Sequence, residues 1–340
     1  MKKTLELLDI NKAKHHIAGW REVRNVFHKS NQFFDFESGA SLADKTKVFL
    51  VSFMSEFLIN PDINQKKLKY KILEDKPWIG IDHLVNNPGP YFKDMWSQQP
   101  HTSLDLINEY DKLGLLKNCK AMIFMSENQK NIASHFKALK NIPTFGLMHP
   151  IISNNPTVFK PELYLQDKRH VVQLGWSQRN HSFFNDFKLN PDKFKKSFMF
   201  GSLKSTQPYC YKHQAFEEDL KYHKSTLSCE VLPMLSDQEC NNILSKSIVF
   251  LNLYDAVANN GILDCIERCT PVIVNRSPSS EEYLGKDYPL FYNNNSSREE
   301  ILTLFRDKRI IKAHKYLLNL DKTKFSINKF MNSIKKIANI

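Results

Sequence analysis

The feature that most restricts this chain is an alternation of two periods. Short apolar runs rich in Val, Ile and Phe recur at 47–53, 78–82, 121–125, 144–147, 171–174, 198–201, 229–232, 248–253 and 271–275. Between several of them lie longer stretches with helical spacing, at 102–115, 127–139, 237–244 and 261–268. Runs of the first kind fit buried strands, and stretches of the second kind fit helices with one apolar face. Strand–helix–strand units repeated in this way predict an α/β fold with parallel sheets.

The alternation fails once. His149-Pro150-Ile151, Asn154-Asn155-Pro156 and Lys160-Pro161 place turn residues close together, with little apolar periodicity. A linker at about 149–168 divides the 340 residues into halves of similar size, each large enough for its own core. The expected organisation is a first Rossmann-like domain over 1–160 and a second over 161–320. A helix follows at 321–340, with Phe325, Phe330, Ile334 and Ile337 on one face. That helix either caps its own domain or crosses back to the first.

Composition narrows the partners. Forty-eight Lys and Arg against thirty-six Asp and Glu leave a net charge of +12, which favours anionic ligands such as nucleotide phosphates, acidic glycans, membrane surfaces or nucleic acid. The lysines are scattered, as at 193–196 and 335–336, so a dedicated polybasic tract is not expected. Six cysteines form no C-x-x-C pair, which predicts reduced thiols rather than a zinc site. No window holds eighteen uncharged apolar residues, and Glu6, Asp9 and Lys12 interrupt any apolar signal core, so a cytoplasmic protein is expected.

Chemistry concentrates in one segment. Leu251-Asn252-Leu253 ends a strand, and Tyr254-Asp255-Ala256-Val257-Ala258-Asn259-Asn260-Gly261 forms a turn of small residues. Ile262 to Arg268 is helical, and Pro271-Val272-Ile273-Val274-Asn275 is the next buried strand. A turn of Ala, Asn and Gly lets a backbone approach a ligand closely, and the helix N-terminus behind it suits a diphosphate. Asp264, one turn into that helix, is placed to reach ribose hydroxyls.

The segment resembles the donor-binding region of GT-B glycosyltransferases, particularly retaining families whose unit ends in E-A-x-x-x-G-x-P-V-I. The counterpart here is Asp264-Cys265-Ile266-Glu267-Arg268-Cys269-Thr270-Pro271-Val272-Ile273. A bacterial and large-virus subgroup associated with surface polysaccharides is closer still, through Leu253 to Asn275, Glu282-Tyr283-Leu284-Gly285 and Asp287-Tyr288-Pro289. The resemblance implies that Asp264 binds the donor ribose and that Asn259, Asn260 and Gly261 face the diphosphate. One departure stands out. Those families pair two glutamates, and the place of the first is Ala256 here, with Asp255 one position off.

The same resemblance implies a basic residue after the first strand of the second domain. Gly175 ends that strand, and Arg179 takes the place of the cation that neutralises the leaving diphosphate, with Lys204 as a second candidate. In the first domain, Asp82 and His83 end a strand, where ligands of open α/β sheets collect, and are candidates to meet the acceptor. Gly19-Trp20, Ser126-Glu127 and His149-Pro150 join the same cleft in this scheme. No Asp-x-Asp metal motif, P-loop or dinucleotide fingerprint is present. The expected function is transfer of a hexose or related sugar from a nucleoside-diphosphate donor to a glycan or lipid-linked acceptor, without metal or other cofactor. A retaining reaction is implied, and a lipid-linked acceptor would add a peripheral membrane contact. Two alternatives stay open: a DNA-base glucosyltransferase of the same fold, and a non-catalytic GT-B binding protein.

Overall fold

A computed structural model describes residues 4–8, 47–52, 54–59, 63–90, 101–151, 156–166, 168–200 and 209–339. The chain divides into two compact units. The first comprises Met1–Asn87, Trp96–Ile152 and Thr323–Ile340, and the second Pro88–Met95 and Ser153–Lys322.

The first unit is built on five parallel strands in the order β1-β2-β3-β4-β5. These are β1 (Thr4–Leu8), β2 (Lys47–Val51), β3 (Trp78–Asp82), β4 (Cys119–Phe124) and β5 (Thr144–Gly146). Helices α1 (Met54–Ile59), α2 (Ile63–Asp75), α3 (Ser103–Lys112) and α4 (Glu127–Ala133) accompany them. Every residue of β3 is buried, which is why it reads as a continuous apolar run. Trp78 anchors the core: its Nε1 donates to the Leu115 carbonyl at 3.1 Å, and its ring lies 5.6 Å from that of Tyr110. The Tyr110 hydroxyl donates to the Met54 carbonyl at 3.0 Å, so both aromatic polar tips are satisfied inside the core.

The second unit carries six parallel strands in the order β11-β10-β9-β6-β7-β8. Its strands are β6 (Arg169–Leu174), β7 (Phe194–Met199), β8 (Glu230–Val231), β9 (Ser247–Leu251), β10 (Val272–Asn275) and β11 (Phe291–Tyr292). In chain order the helices are α5 (Pro161–Gln166), α6 (His181–Asp186), α7 (Tyr209–Tyr222), α8 (Asp237–Leu244) and α9 (Asn260–Arg268). They continue with α10 (Pro278–Leu284), α11 (Arg298–Leu304) and α12 (Asp307–Asn319). Phe183, Phe187, Phe250, Tyr292 and Phe305 pack at centroid distances of 5.1–6.0 Å and pin α6 and the α11–α12 turn to the sheet. The last helix, α13 (Ile327–Ala338), counts with the first unit and buries Phe330, Met331, Ile334, Ile337 and Ala338. The Ile151 N–H donates to the Phe325 carbonyl at 2.9 Å just before it.

Several expectations change. The stretch at 149–168 contains a helix, α5, because Pro161 starts one without losing a bond it needed, and Tyr164 is buried beneath it. The run expected from 198 begins late: the strand starts at Phe194, hidden by Lys195-Lys196-Ser197, and ends at Met199. The helix expected over 127–139 stops at Ala133 and resumes as a short 3-10 turn at Lys137–Leu139. Strands β1 and β11 were not among the expected runs. Cys119, Cys240, Cys265 and Cys269 are buried free thiols, as the absence of paired spacing implies.

Candidate functional site

The strand order defines where a ligand belongs. From β6 the chain moves one way to β7 and β8, and the rest of the sheet, β9 to β11, lies on the other side. Right-handed crossovers place the intervening helices of the two halves on opposite faces, which opens a crevice outside the carboxyl ends of β6 and β9. The loops leaving those two strands are 175–180 and 252–259. They are the segments that hold Gly175, Arg179, Asp255 and Asn259.

The two loops are stitched together. The Asn180 N–H donates to the Asn252 carbonyl at 2.9 Å, the Tyr254 N–H donates to the Gln178 carbonyl at 3.0 Å, and Arg179 bridges Leu253 in an antiparallel sense. The side-chain amide of Asn275, the last residue of β10, holds both backbone groups of Leu253: Oδ1 accepts the Leu253 N–H at 2.7 Å and Nδ2 donates to the Leu253 carbonyl at 2.9 Å. Gly175 has φ +83° and Gln178 φ +63°, so the first loop turns back through left-handed conformations.

Arg179 is almost fully buried, at 6% exposure. Its Nε donates to the Leu174 carbonyl at 2.8 Å, Nη1 to the Ser177 carbonyl, and Nη2 to Asn259 Oδ1 at 3.2 Å. The guanidinium lies against two glycines: a Cβ at Gly175 or at Gly261 would come within 2.7 Å of Nη2. Both positions therefore need glycine for the arginine to fit. Asn259 caps α9, its Oδ1 accepting the Ile262 N–H at 3.1 Å, while its Nδ2 is buried with no hydrogen-bond partner among the described residues. Behind it, the buried Tyr283 hydroxyl is bonded by the backbone at Ala258 and Asn259. The first turn of α9 leaves the Asn260 and Gly261 amides without intrahelical acceptors. A guanidinium, an amide donor and the positive end of a helix thus converge, an arrangement stabilised by an anion.

The acids near this site are engaged elsewhere. Asp255 Oδ1 accepts the Ala256 and Val257 N–H groups at 2.7 and 3.3 Å, folding its own loop. Asp264 pairs with Arg268 at 2.8 Å, with 37% of its side chain open to solvent. The surrounding protein pushes its carboxyl above the ordinary range, and the Arg268 and Arg179 charges pull it back. Lys204, Gly19 and Trp20 lie outside the described residues.

In the first unit, Asp82 ends β3 with no exposure, and burial raises its pKa to about 6. Its Oδ1 accepts the Leu84 N–H at 2.8 Å, while Oδ2 has no hydrogen-bond partner among the described residues. The neighbouring backbone is fixed by Ser103, whose hydroxyl donates to the Leu84 carbonyl at 3.0 Å, and by Gln129, which donates to that same hydroxyl at 3.0 Å. The His83 ring stands edge-on to His149 at 6.2 Å. His149 is held neutral by burial, its pKa lowered to about 4. The carboxyl end of this sheet therefore gathers Asp82, His83 and His149, with Asp82 and His149 buried.

Three supports of the second-unit site carried no sequence expectation of their own: Asn275, Tyr283 and the pair Asp219–Tyr254. Asn275 had a signal, a lone amide closing an apolar strand. Asp219 had none, because it lies on a helix far along the chain from both loops.

No protein-family model and no curated protein matches the chain. Solved structures do. Anabaena HepE in complex with UDP-glucose is 10% identical, with a TM-score of 0.64 over 98% of each chain. A UDP-forming α,α-trehalose-phosphate synthase from Burkholderia vietnamiensis is 13% identical, with a TM-score of 0.53 over 94% of this chain and 83% of its own. At these identities the likeness shows the fold alone: the GT-B fold, with two Rossmann-like domains.

Proposed function

We propose that this chain is a glycosyltransferase that moves a sugar from a nucleoside-diphosphate donor to a glycan or lipid-linked acceptor. The observation that carries the reading is the convergence of the buried Arg179, the Asn259 amide and the N-terminus of α9 at the switch point between β6 and β9. Leaving-group charge grows on the diphosphate as the glycosidic bond breaks. Fixed donors already in place stabilise that charge without reorganising, which is how they lower the barrier. In this scheme Arg179 and the amides of Asn260 and Gly261 supply the positive field that a metal ion supplies in other transferases, with Lys204 as a further cation. Asp264 holds the donor ribose and exchanges its Arg268 partner for the sugar hydroxyls. His83 orients the acceptor, with the buried Asp82 beneath it fixing the turn at Leu84, and retention of anomeric configuration is the expected stereochemistry. That HepE and the trehalose-phosphate synthase carry or release UDP makes UDP the first nucleotide to try.

Calorimetric titration of the protein with UDP, GDP and TDP and their glucose conjugates, with and without EDTA, tests the reading. Binding of one nucleoside diphosphate that survives EDTA is expected, with transfer or slow donor hydrolysis in turnover assays. Absence of binding to any of them would overturn it. Binding without transfer or hydrolysis would identify a non-catalytic GT-B protein.

A further inference from the structure

Among the described residues of the second unit, Asp219 on α7 is the carboxylate closed to solvent, with 0% exposure. A buried carboxylate is costly unless donors surround it, and here they come from two other elements. Oδ2 accepts the Ser182 N–H at 2.9 Å and faces the Ser182 hydroxyl at 3.1 Å. Oδ1 accepts the Tyr254 hydroxyl at 2.9 Å. With its hydrogen committed to Asp219, the Tyr254 oxygen accepts from His223 Nε2, 2.9 Å away, which itself stands 3.8 Å from Oδ1.

The two partners are not arbitrary. Ser182 is the second residue of α6, directly after the loop that holds Gly175 and Arg179. Tyr254 is the third residue of the loop that ends in Asn259. One carboxylate on a third element therefore ties the downstream end of one ligand loop to the upstream end of the other. Burial raises the carboxyl pKa of Asp219, while the Ser182 and Tyr254 bonds favour its ionised form.

We propose that Asp219 is a positioning residue: through Ser182 and Tyr254 it holds the 175–180 and 252–259 loops in one mutual geometry. Its influence on nucleotide affinity rests on the donor-site reading above. Asp219→Asn removes the charge and the acceptor of the Tyr254 hydroxyl while an amide oxygen can still take the Ser182 N–H, and Tyr254→Phe removes a single tether while keeping the ring.

The test has two arms. Hydrogen exchange is followed on the nucleotide-free full chain for wild type, Asp219→Asn and Tyr254→Phe. Exchange at 175–182 and 252–262 is expected to quicken by about tenfold or more in both variants, with rates elsewhere in the sheet unchanged. Unchanged exchange in these loops, or a uniform rise over the whole unit, would overturn the proposal. Should Asp219→Asn fail to fold, Tyr254→Phe carries the comparison alone. The second arm titrates UDP, whose Kd is expected to rise about tenfold in the loosened variants, because loops that must order on binding cost affinity. Loosened loops with wild-type affinity would also overturn it. Failure of wild type to bind UDP, GDP and TDP alike would instead remove the donor-site reading, and the exchange arm would still decide the role of Asp219.

Discussion

At the scale of single residues, the site depends on close approach. Gly261 has an ordinary backbone conformation, so a Cβ there adds no dihedral strain and acts only by meeting the Arg179 guanidinium at 2.7 Å. Gly261→Ala is expected to weaken nucleoside-diphosphate binding about tenfold by displacing that group, at the scale of one charge-assisted hydrogen bond. The melting temperature should move by only a few degrees, of order 1 kcal/mol. Titration beside a thermal melt checks both, and wild-type affinity would refute the packing argument. Asp82 has a different signature. Its folded pKa of about 6 lies above the unfolded value, so the folded state holds its proton more tightly. The resulting stability is present below about pH 4 and is lost as pH rises through 6. Asp82→Asn should therefore stabilise the protein at pH 8 by roughly 2–3 kcal/mol relative to its effect at pH 4, read from denaturation at the two values.

Helices and strands show how side chains from one element complete another. Lys196, in the middle of β7, donates from Nζ to the Phe184, Asn185 and Phe187 carbonyls at 2.7–2.8 Å and so closes the C-terminus of α6. A cation there also opposes the helix dipole. The sequence offers the same lysine only as part of a charged run, which is why the apolar run marks the strand later than its true start at Phe194. Lys196→Met should destabilise the second unit by about 1–3 kcal/mol, since it leaves carbonyls unmatched, and urea denaturation would show it. Arg169 behaves alike at longer range: its fork grips Asp307 at 3.0 and 2.8 Å and fastens the start of α12 to β6. Periodicity locates such elements, but it carries no record of who caps whom.

For the molecule as a whole, acid stability should follow the buried His149 and His181 and the half-buried His170. His149, His170 and His181 have pKa values lowered to about 4, about 4 and about 3, chiefly by burial. The unfolded chain takes up protons near 6.5 that these folded sites refuse, so their contribution to stability falls as pH drops from 6.5 towards 4. Asp82 and Glu267, raised to about 6 and about 7, act in the opposite direction over part of that range. His181 has the largest of the histidine shifts; its Nε2 donates to the Trp176 carbonyl at 2.8 Å. His181→Gln should accordingly flatten the acid limb of a melting-temperature profile, and an unaltered limb would count against the assignment. Nucleotide binding should protect the amides of the 175–180 loop, the 252–259 loop and the first turn of α9, where the described donors of the site lie. Unchanged exchange in all three segments would contradict that.

The chain by itself determined the alternation of strand and helix, and through it the α/β class, because a buried parallel strand must be apolar throughout and leaves a continuous run. It also marked Asn259, Asn260 and Gly261 as a turn of small residues before a helix, while Gly175 and Arg179 were implied by the family resemblance. Two things were decided only by tertiary structure. The order of strands, which puts β9 beside β6 and so makes two distant loops neighbours, follows from crossover handedness and packing. The second is the support of those loops by Asp219, Asn275 and Tyr283, where buried polar atoms found partners that no local spacing could specify.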